Sequence, residues 1–303
     1  MSDVVLAVDV GGTTIASGIV AATGDVLWST EVATVHTACG RDPGLRQLED
    51  VVARLRRAAT DHGHVVRAVS IGFPEYVNHD RLTSREVIAW DRQPVEMLRA
   101  VLADVPVFVD SDVRCAALAE ARRADAGEHD LFYVSWGTGI SSTLVVDGSC
   151  RAGRRGEALA LGEFGVPATV DPTWTANLEQ FASGGGIARR YAAAHPGTAR
   201  DSRAIAELAD AGDRDALATI DSAARAVASA VSSCIAILDP DVVVLGGGIG
   251  AGDGLLVRAM CTELDRLLSR ADPPAIRRAR SSAQTGVAGA GLAGWQRLTG
   301  PPP

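Results

Sequence analysis

Val4-Val5-Leu6-Ala7-Val8-Asp9-Val10-Gly11-Gly12-Thr13-Thr14 runs from alternating apolar residues through an aspartate into two glycines and two threonines. A second β-type run, Ile15 to Val20, follows at once; a turn at Thr23-Gly24-Asp25 then leads into Val26 to Val32. Short β-rich runs separated by glycine-bearing turns predict strand hairpins. The same grammar returns at Asp130 to Trp136, Gly137-Thr138-Gly139, Ile140 to Val146 and the turn Asp147-Gly148. Two copies in one chain point to an internal duplication, although glycine-turn hairpins are common in unrelated proteins. Between the copies, Leu45, Leu48, Val52, Leu55 and Ala59 keep the spacing of one apolar helix face. Ala68 to Phe73 and Pro106 to Val109 read as short strands, and helical stretches are expected around Leu178 to Ala194 and Ile220 to Leu238. Strand Asp241 to Leu245, a helix over Gly254 to Ser269 and a glycine-rich terminal helix complete the order. Sheets flanked by helices in each half predict an α/β protein with a central cleft.

Composition narrows the function. The 303 residues carry 47% apolar and 22% charged side chains, as in ordinary globular proteins. A net charge of -8 argues against a nucleic-acid binder, which needs a basic face. The N-terminus shows no basic and apolar leader, and no apolar run approaches the roughly 20 residues of a membrane span. Cys39, Cys115, Cys150, Cys234 and Cys261 are scattered without a CxxC, so a cytoplasmic protein with reduced thiols is expected. The chain contains no lysine. A P-loop and a protein-kinase strand lysine are therefore both excluded.

Three glycine turns carry candidate chemistry. In Asp9-Val10-Gly11-Gly12-Thr13-Thr14 the glycines let peptide N–H groups approach an anion, the threonines add donors, and Asp9 suits a magnesium-bound water. The same residues also make an ordinary tight hairpin turn. Gly137-Thr138-Gly139 is a second such turn, and two in matching positions of duplicated halves could clamp a polyphosphate. Gly246-Gly247-Gly248-Ile249-Gly250 ends a strand with residues small enough for a flat ligand to lie on the backbone. The one literal GxGxxG, Gly289 to Gly294, lies too near the C-terminus to open a βαβ unit and reads as a close helix contact. At Asp110-Ser111-Asp112 a strand runs into an Ala-rich helix. Helix capping accounts for Asp110 or Ser111, and dipole complementation for Asp112.

Taken together and in this order, these segments resemble the ROK family of repressors and kinases over nearly the whole chain. Gly72-Phe73-Pro74 is similar to the family's sugar-domain turn, Ser111-Asp112 to its Asn-Asp catalytic segment, and Leu178-Glu179-Gln180-Phe181-Ala182-Ser183-Gly184 to its Leu-Glu-x-x-Ala-Ser-Gly stretch. The resemblance implies the actin-like ATPase (ribonuclease H-like) fold, with two duplicated α/β domains around a cleft. It implies a smaller domain over residues 1–114, a larger one over 115–285, and a terminal helix over 286–303 packing back on the first. It implies ATP and magnesium as cofactors. Asp112 becomes the general base for a sugar hydroxyl, usually the 6-OH, and Asp9 a magnesium site, direct or through water. Gly11, Gly12, Thr13, Thr14, Gly137, Thr138 and Gly139 become phosphate contacts, and Gly246, Gly247 and Gly248 adenosine contacts. Gly72, Glu75, Glu86, Ser111, Asp112, Glu163 and Glu179 fall at the sugar. A homodimer is the family analogy.

The sequence also departs from the family pattern. Gly162-Glu163-Phe164-Gly165 is followed by Val166 where a zinc-binding and sugar-contacting histidine is usual, and residues 166–178 hold neither His nor Cys. No structural zinc is expected. Glu75 stands where a glycine is usual, Ser111 where the asparagine is, Asp110 where a glutamate is, and Glu86 in the place of a sugar-binding asparagine. With Val166 removing the histidine and Glu75 and Glu86 facing the pocket, an ammonium-bearing hexose is favoured, so an amino-hexose 6-kinase resembling the kanosamine kinases of antibiotic pathways is expected over a plain glucokinase. If they face solvent, a plain glucokinase remains. A sugar-sensing repressor is disfavoured because only three residues precede Val4, and a pseudokinase because Asp9, both turns and Asp112 are present.

Overall fold

The computed structural model describes residues 2–35, 43–88, 90, 92–123, 125, 128–197, 200–269, 271–280 and 284–300. Cys39 lies outside these; the other four cysteines are free thiols. The chain divides into two compact units. One comprises Met1–Ala124, Gly148–Ala158 and Ser282–Pro303; the other comprises Asp125–Asp147 and Leu159–Ser281. The division expected at residue 114 would cut a helix, Asp112–Ala121, whose Cys115 and Leu118 pack with Ala7, Val20 and Ala290 of the first unit.

The first unit holds β1 (Asp3–Val10), β2 (Thr14–Ala21), β3 (Val26–Ala33), α1 (Pro43–Asp61), β4 (Val65–Phe73), β5 (Val77–Asn78), β6 (Arg81–Leu82), α2 (Pro94–Val101), β7 (Val107–Ser111) and α3 (Asp112–Ala121). Its sheet order is β3-β2-β1-β4-β7, antiparallel through β1 and parallel beyond it. Alternation along β1 sends Leu6 and Val8 into one core with Leu45, Leu48, Val52 and Leu55 of α1. Each such side chain contributes about 1.5–3 kcal/mol on full burial. The other face presents Ala7 to α3 and to the C-terminal helix.

The second unit holds β8 (Asp130–Trp136) and β9 (Ile140–Val146), while β10 (Ser149–Cys150) lies in the 148–158 segment of the first unit. Then come a single 3₁₀ turn (Leu161–Glu163), α4 (Leu178–Ala182), α5 (Gly184–Ala194), α6 (Ser202–Asp210), α7 (Arg214–Leu238), β11 (Val242–Gly246), α8 (Gly247–Gly250), α9 (Leu255–Leu267) and β12 (Ala275–Arg278). Strand β9 pairs antiparallel to β8, and β8, β11 and β12 run parallel, repeating the signs of β2-β1-β4-β7. The helix expected over 178–194 is two helices, because Ser183 adopts extended backbone and its Oγ caps α5 at the Gly186 N–H. By length and composition alone α7 is long and apolar enough to cross a membrane, a test that a buried core helix also passes, and Asp215, Asp221 and Arg225 interrupt its apolar run. Ile220, Val227, Val231 and Ile235 place one face of it in the second unit's core, as in a buried core helix.

Helix α10 (Thr285–Thr299) belongs to the first unit. The literal GxGxxG lies inside it, as a packing stripe. A methyl at Gly289 would overlap the Cys115 carbonyl, and one at Gly294 would meet Ser70 Cβ at 2.8 Å and Val5 Cγ1 at 2.9 Å. These missing side chains let α10 lie directly on α3 at Gly289 and on the sheet at Gly294.

Candidate active site

In the first unit Asp9 ends β1, opposite Ala16 on β2 and Gly72 on β4. The turn after it closes through the Gly11 N–H, which donates to Thr14 O at 2.8 Å. Thr34 braces it from β3's end, its N–H donating to Thr13 O at 2.9 Å and its hydroxyl to Gly11 O at 2.8 Å. Asp112 opens α3 directly after β7. Ser111 Oγ accepts from the Arg114 N–H at 3.3 Å, so this hydroxyl caps the helix, the plainer of the two roles weighed for it. Buried Arg114 pairs with Asp110 and donates to Val77 O at 2.8 Å and Gly156 O at 3.2 Å, fixing the start of the helix.

The two aspartates converge. A methyl at Gly72 would lie 3.5 Å from Asp112 Cα and 3.6 Å from Asp9 Oδ1. A methyl at Gly286, in the first turn of α10, would overlap the Asp9 carboxylate. Asp9 therefore sits against a helix N-terminus that only glycine lets it approach. Burial pushes its carboxyl up to about 6. Asp112 is pushed up to about 7, first by burial and then by the charge of Asp9 and, more weakly, of Glu75; its bond from the Val113 N–H, 2.6 Å, opposes the rise. Among the described residues no arginine pairs with either aspartate. The site thus holds two neighbouring buried carboxyls, both pushed above their ordinary values, Asp112 to about 7 and Asp9 to about 6.

Glu75 corrects the sequence expectation. It is 5% exposed, and its carboxylate is fully engaged within the protein. Oε1 accepts from the Val87 and Ile88 N–H groups at 2.7 and 2.6 Å; Oε2 accepts from the Glu86 N–H at 2.9 Å and from the Ser84 hydroxyl. A carboxylate offers about four acceptor positions, so none remains for a sugar. Glu86 is exposed.

The second unit assembles its own glycine site. Gly137 N–H closes the turn onto Gly139 O at 2.9 Å, and the start of α5 backs it, with Gly184 N–H donating to Gly137 O at 2.8 Å. A methyl at Gly137 would lie 3.1 Å from Gly248 N, so the second turn and the Gly246–Gly248 motif are adjacent. Glu179 Oε2 accepts from the Ile140 N–H at 2.7 Å and is wedged beside Gly139 and Gly162. Glu163 is exposed on the 3₁₀ turn, its Oε2 accepting from Asn177 Nδ2 at 3.2 Å. Segment 166–178 is held by packing: Val166, Val170 and Trp174 lie on the unit's core, and Trp174 meets Phe181 edge-on with centroids 5.1 Å apart. Among the described residues no group of three or more His, Cys, Asp or Glu is placed to hold a metal ion.

Sequence inspection missed Gly286, Arg114 and the brace at Gly184. The first is close in space but 277 positions from Asp9, and no local pattern carries that pairing.

A sequence model of the ROK family matches residues 5–295. The N-acetyl-D-glucosamine kinase of Salmonella paratyphi B is 28% identical over 302 residues, covering 93% of this chain and 96% of its own. The bifunctional enzyme NanE/NanK of Brucella melitensis is 37% identical over 151 residues, 50% of this chain, and the match spans only 28% of that enzyme. Among solved structures, the ROK hexokinase from Thermus thermophilus superposes with a TM-score of 0.84 at 29% identity, covering 97% of this chain and 99% of its own. The ROK glucokinase from Streptomyces griseus, in complex with glucose and AMPPNP, gives 0.74 at 26% identity, with 95% and 98% covered. The fold is accordingly the actin-like ATPase fold with two α/β domains.

Proposed function

We propose, from the premise that the chain belongs to the ROK family, that it transfers the γ-phosphoryl group of ATP to the primary 6-hydroxyl of a hexose, with Asp112 as general base. The observation that carries this reading is the Asp112 carboxylate, buried at the start of α3 beside Asp9 and raised to about 7. A base of that strength accepts the hydroxyl proton as the oxygen attacks phosphorus, and it can do so near neutral pH. The proton ends on Asp112, the phosphoryl group on the sugar, and ADP leaves.

Positioning does most of the work in such a transfer. The peptide N–H groups of Gly11–Thr14 and Gly137–Gly139 are proposed to hold phosphates, and Gly246–Gly248 the adenosine. With no lysine in the chain, charge neutralisation falls to a metal ion and to arginine. Asp9 fits magnesium, which is commonly held by one or two carboxylates together with substrate phosphates rather than by a full protein cage. When bound, the ion neutralises charge on the transferring group. Gly72 and Ser111 are proposed as sugar contacts within the first unit, and Glu163 and Glu179 as sugar contacts within the second; a cytoplasmic homodimer is proposed as the working form.

A neutral hexose is the first substrate reading, because Glu75, with all its acceptor positions taken, adds no ligand for an ammonium group. An amino-hexose such as kanosamine is the second. It rests on exposed Glu86 and on Val166, which leaves no imidazole there. The test is sugar-dependent ADP release over glucose, N-acetylglucosamine, glucosamine and kanosamine, with phosphorus NMR to locate the new ester. A 6-phosphate made from glucose at least as well as from the amines is expected. Preference for the free amines selects the second reading, and no turnover with any hexose removes both.

A further inference from the structure

The loop after β6 contains Ser84, Arg85, Glu86, Val87 and Ile88, and its backbone is tied down from one point. Three consecutive N–H groups, those of Glu86, Val87 and Ile88, converge on the Glu75 carboxylate with the Ser84 hydroxyl. Ser84 Oγ in turn accepts from the Tyr76 N–H at 2.9 Å. At the loop's far end Trp90 meets Phe73 edge-on, with centroids 5.6 Å apart. Between these anchors, Ile88 turns into the core and Val87 is half exposed. A methyl at Gly12 would come within 3.3 Å of Val87 Cγ1, so the first phosphate turn rests against this loop.

We propose that Glu75 is a positioning residue that sets sugar selectivity by locking residues 84–88 into one backbone arrangement, fixing both the setting of Glu86 and the seat of the Gly11-Gly12 turn. Selectivity here rests on the sugar-kinase reading above; the lock itself does not. A buried carboxylate whose partners are peptide N–H groups and one hydroxyl is an expensive way to hold a loop that an apolar contact could hold. Its value lies in direction. Three N–H groups aimed at one acceptor leave the loop a single conformation, and a preordered loop binds without an ordering cost.

The test uses the full chain and the isosteric variant Glu75→Gln. Its amide turns two acceptor positions into donors that face donors. Hydrogen–deuterium exchange over residues 84–88 should quicken about tenfold or more. The sugar KM should rise about tenfold while kcat changes less than about threefold, and the ratio of kcat/KM between glucose and N-acetylglucosamine should shift more than about threefold. Ser84→Ala, which removes one donor, should move all three readouts the same way by smaller factors, and it serves where Glu75→Gln does not fold. Unchanged exchange in these variants overturns the lock. Quickened exchange with wild-type KM and an unaltered sugar ratio overturns its role in selectivity. A wild-type protein that turns over no hexose overturns the kinase reading and selectivity together, while the exchange still decides the lock.

Discussion

The turns that follow β1 and β8 share a backbone design and differ in chemistry. Each begins with a glycine whose N–H closes the turn, Gly11 onto Thr14 O at 2.8 Å and Gly137 onto Gly139 O at 2.9 Å. The first spans four residues between the paired Val10 and Ile15, the second three between Trp136 and Ile140. Asp9 stands two residues before Gly11, where the second unit has Ser135 before Gly137; buried Trp136, in the place of Val10, donates its Nε1 N–H to Ala182 O at 2.8 Å. The second turn is backed instead by the N-terminus of α5 and by Glu179. The two units thus share a glycine turn between antiparallel strands, while only the first places an aspartate near the end of the strand that leads into it. On the proposed function, the first unit manages the proton and the metal ion, and the second grips the nucleotide.

Substitutions in the two turns should therefore fail in different ways. Asp9→Asn should cut kcat by about 10²-fold or more, since only the first turn carries this carboxylate. Gly139→Ala would bring a methyl to 2.7 Å from Glu179 Oε2, forcing that carboxylate off the Ile140 N–H. It should raise the KM for ATP about tenfold with a smaller change in kcat. Steady-state kinetics on both variants would erase the contrast if Asp9→Asn moved only KM.

The pH profile sharpens the same contrast. The base must be ionised to act, so kcat/KM should fall below about 7, where Asp112 takes up its proton, and more steeply below about 6, where Asp9 follows. A profile flat from pH 5.5 to 8 would contradict the assignment. Stability should show the opposite sign. The folded-state value of Asp112 lies above its ordinary 3.8, so its ionisation costs stability as pH rises through the interval from about 4 to about 7. Asp112→Asn keeps an oxygen for the Val113 N–H and removes that cost. The variant should melt a few degrees above wild type at pH 8, by on the order of 1–3 kcal/mol, with the gap closing near pH 4. The smallest effect belongs to the second unit. A chelator should leave the melting temperature unchanged, because Val166, Val170 and Trp174 anchor segment 166–178 by packing. A fall of several degrees, or one zinc per chain, would contradict this.

Much of this contrast was legible in the residues. The strand-turn-strand repeat, the α1 stripe and the order of the glycine motifs are local patterns with fixed periods, and each points to its element. Position alone leaves Asp9 with an ordinary turn and Asp112 with a helix dipole as open readings; their catalytic roles come from the family resemblance. The misreadings have a common cause. At Glu75 the residues leave pocket and solvent equally open, because a glutamate in place of a glycine announces a change without saying which donors it will meet, and its donors lie nine to thirteen residues on. The break at Ser183 was hidden by helix-compatible residues on both sides. Gly286 and the contacts of the α10 glycines depend on tertiary proximity, for which a single sequence carries no period.

The central claim, that Asp112 is the base in an ATP-dependent sugar kinase, is tested most directly by Asp112→Asn with ATP affinity and turnover measured on the same preparation. The Kd for a non-hydrolysable ATP analogue should stay within about threefold of wild type, while kcat on the preferred hexose falls by about 10²-fold or more. A folded variant that retains near-wild-type kcat would contradict the account.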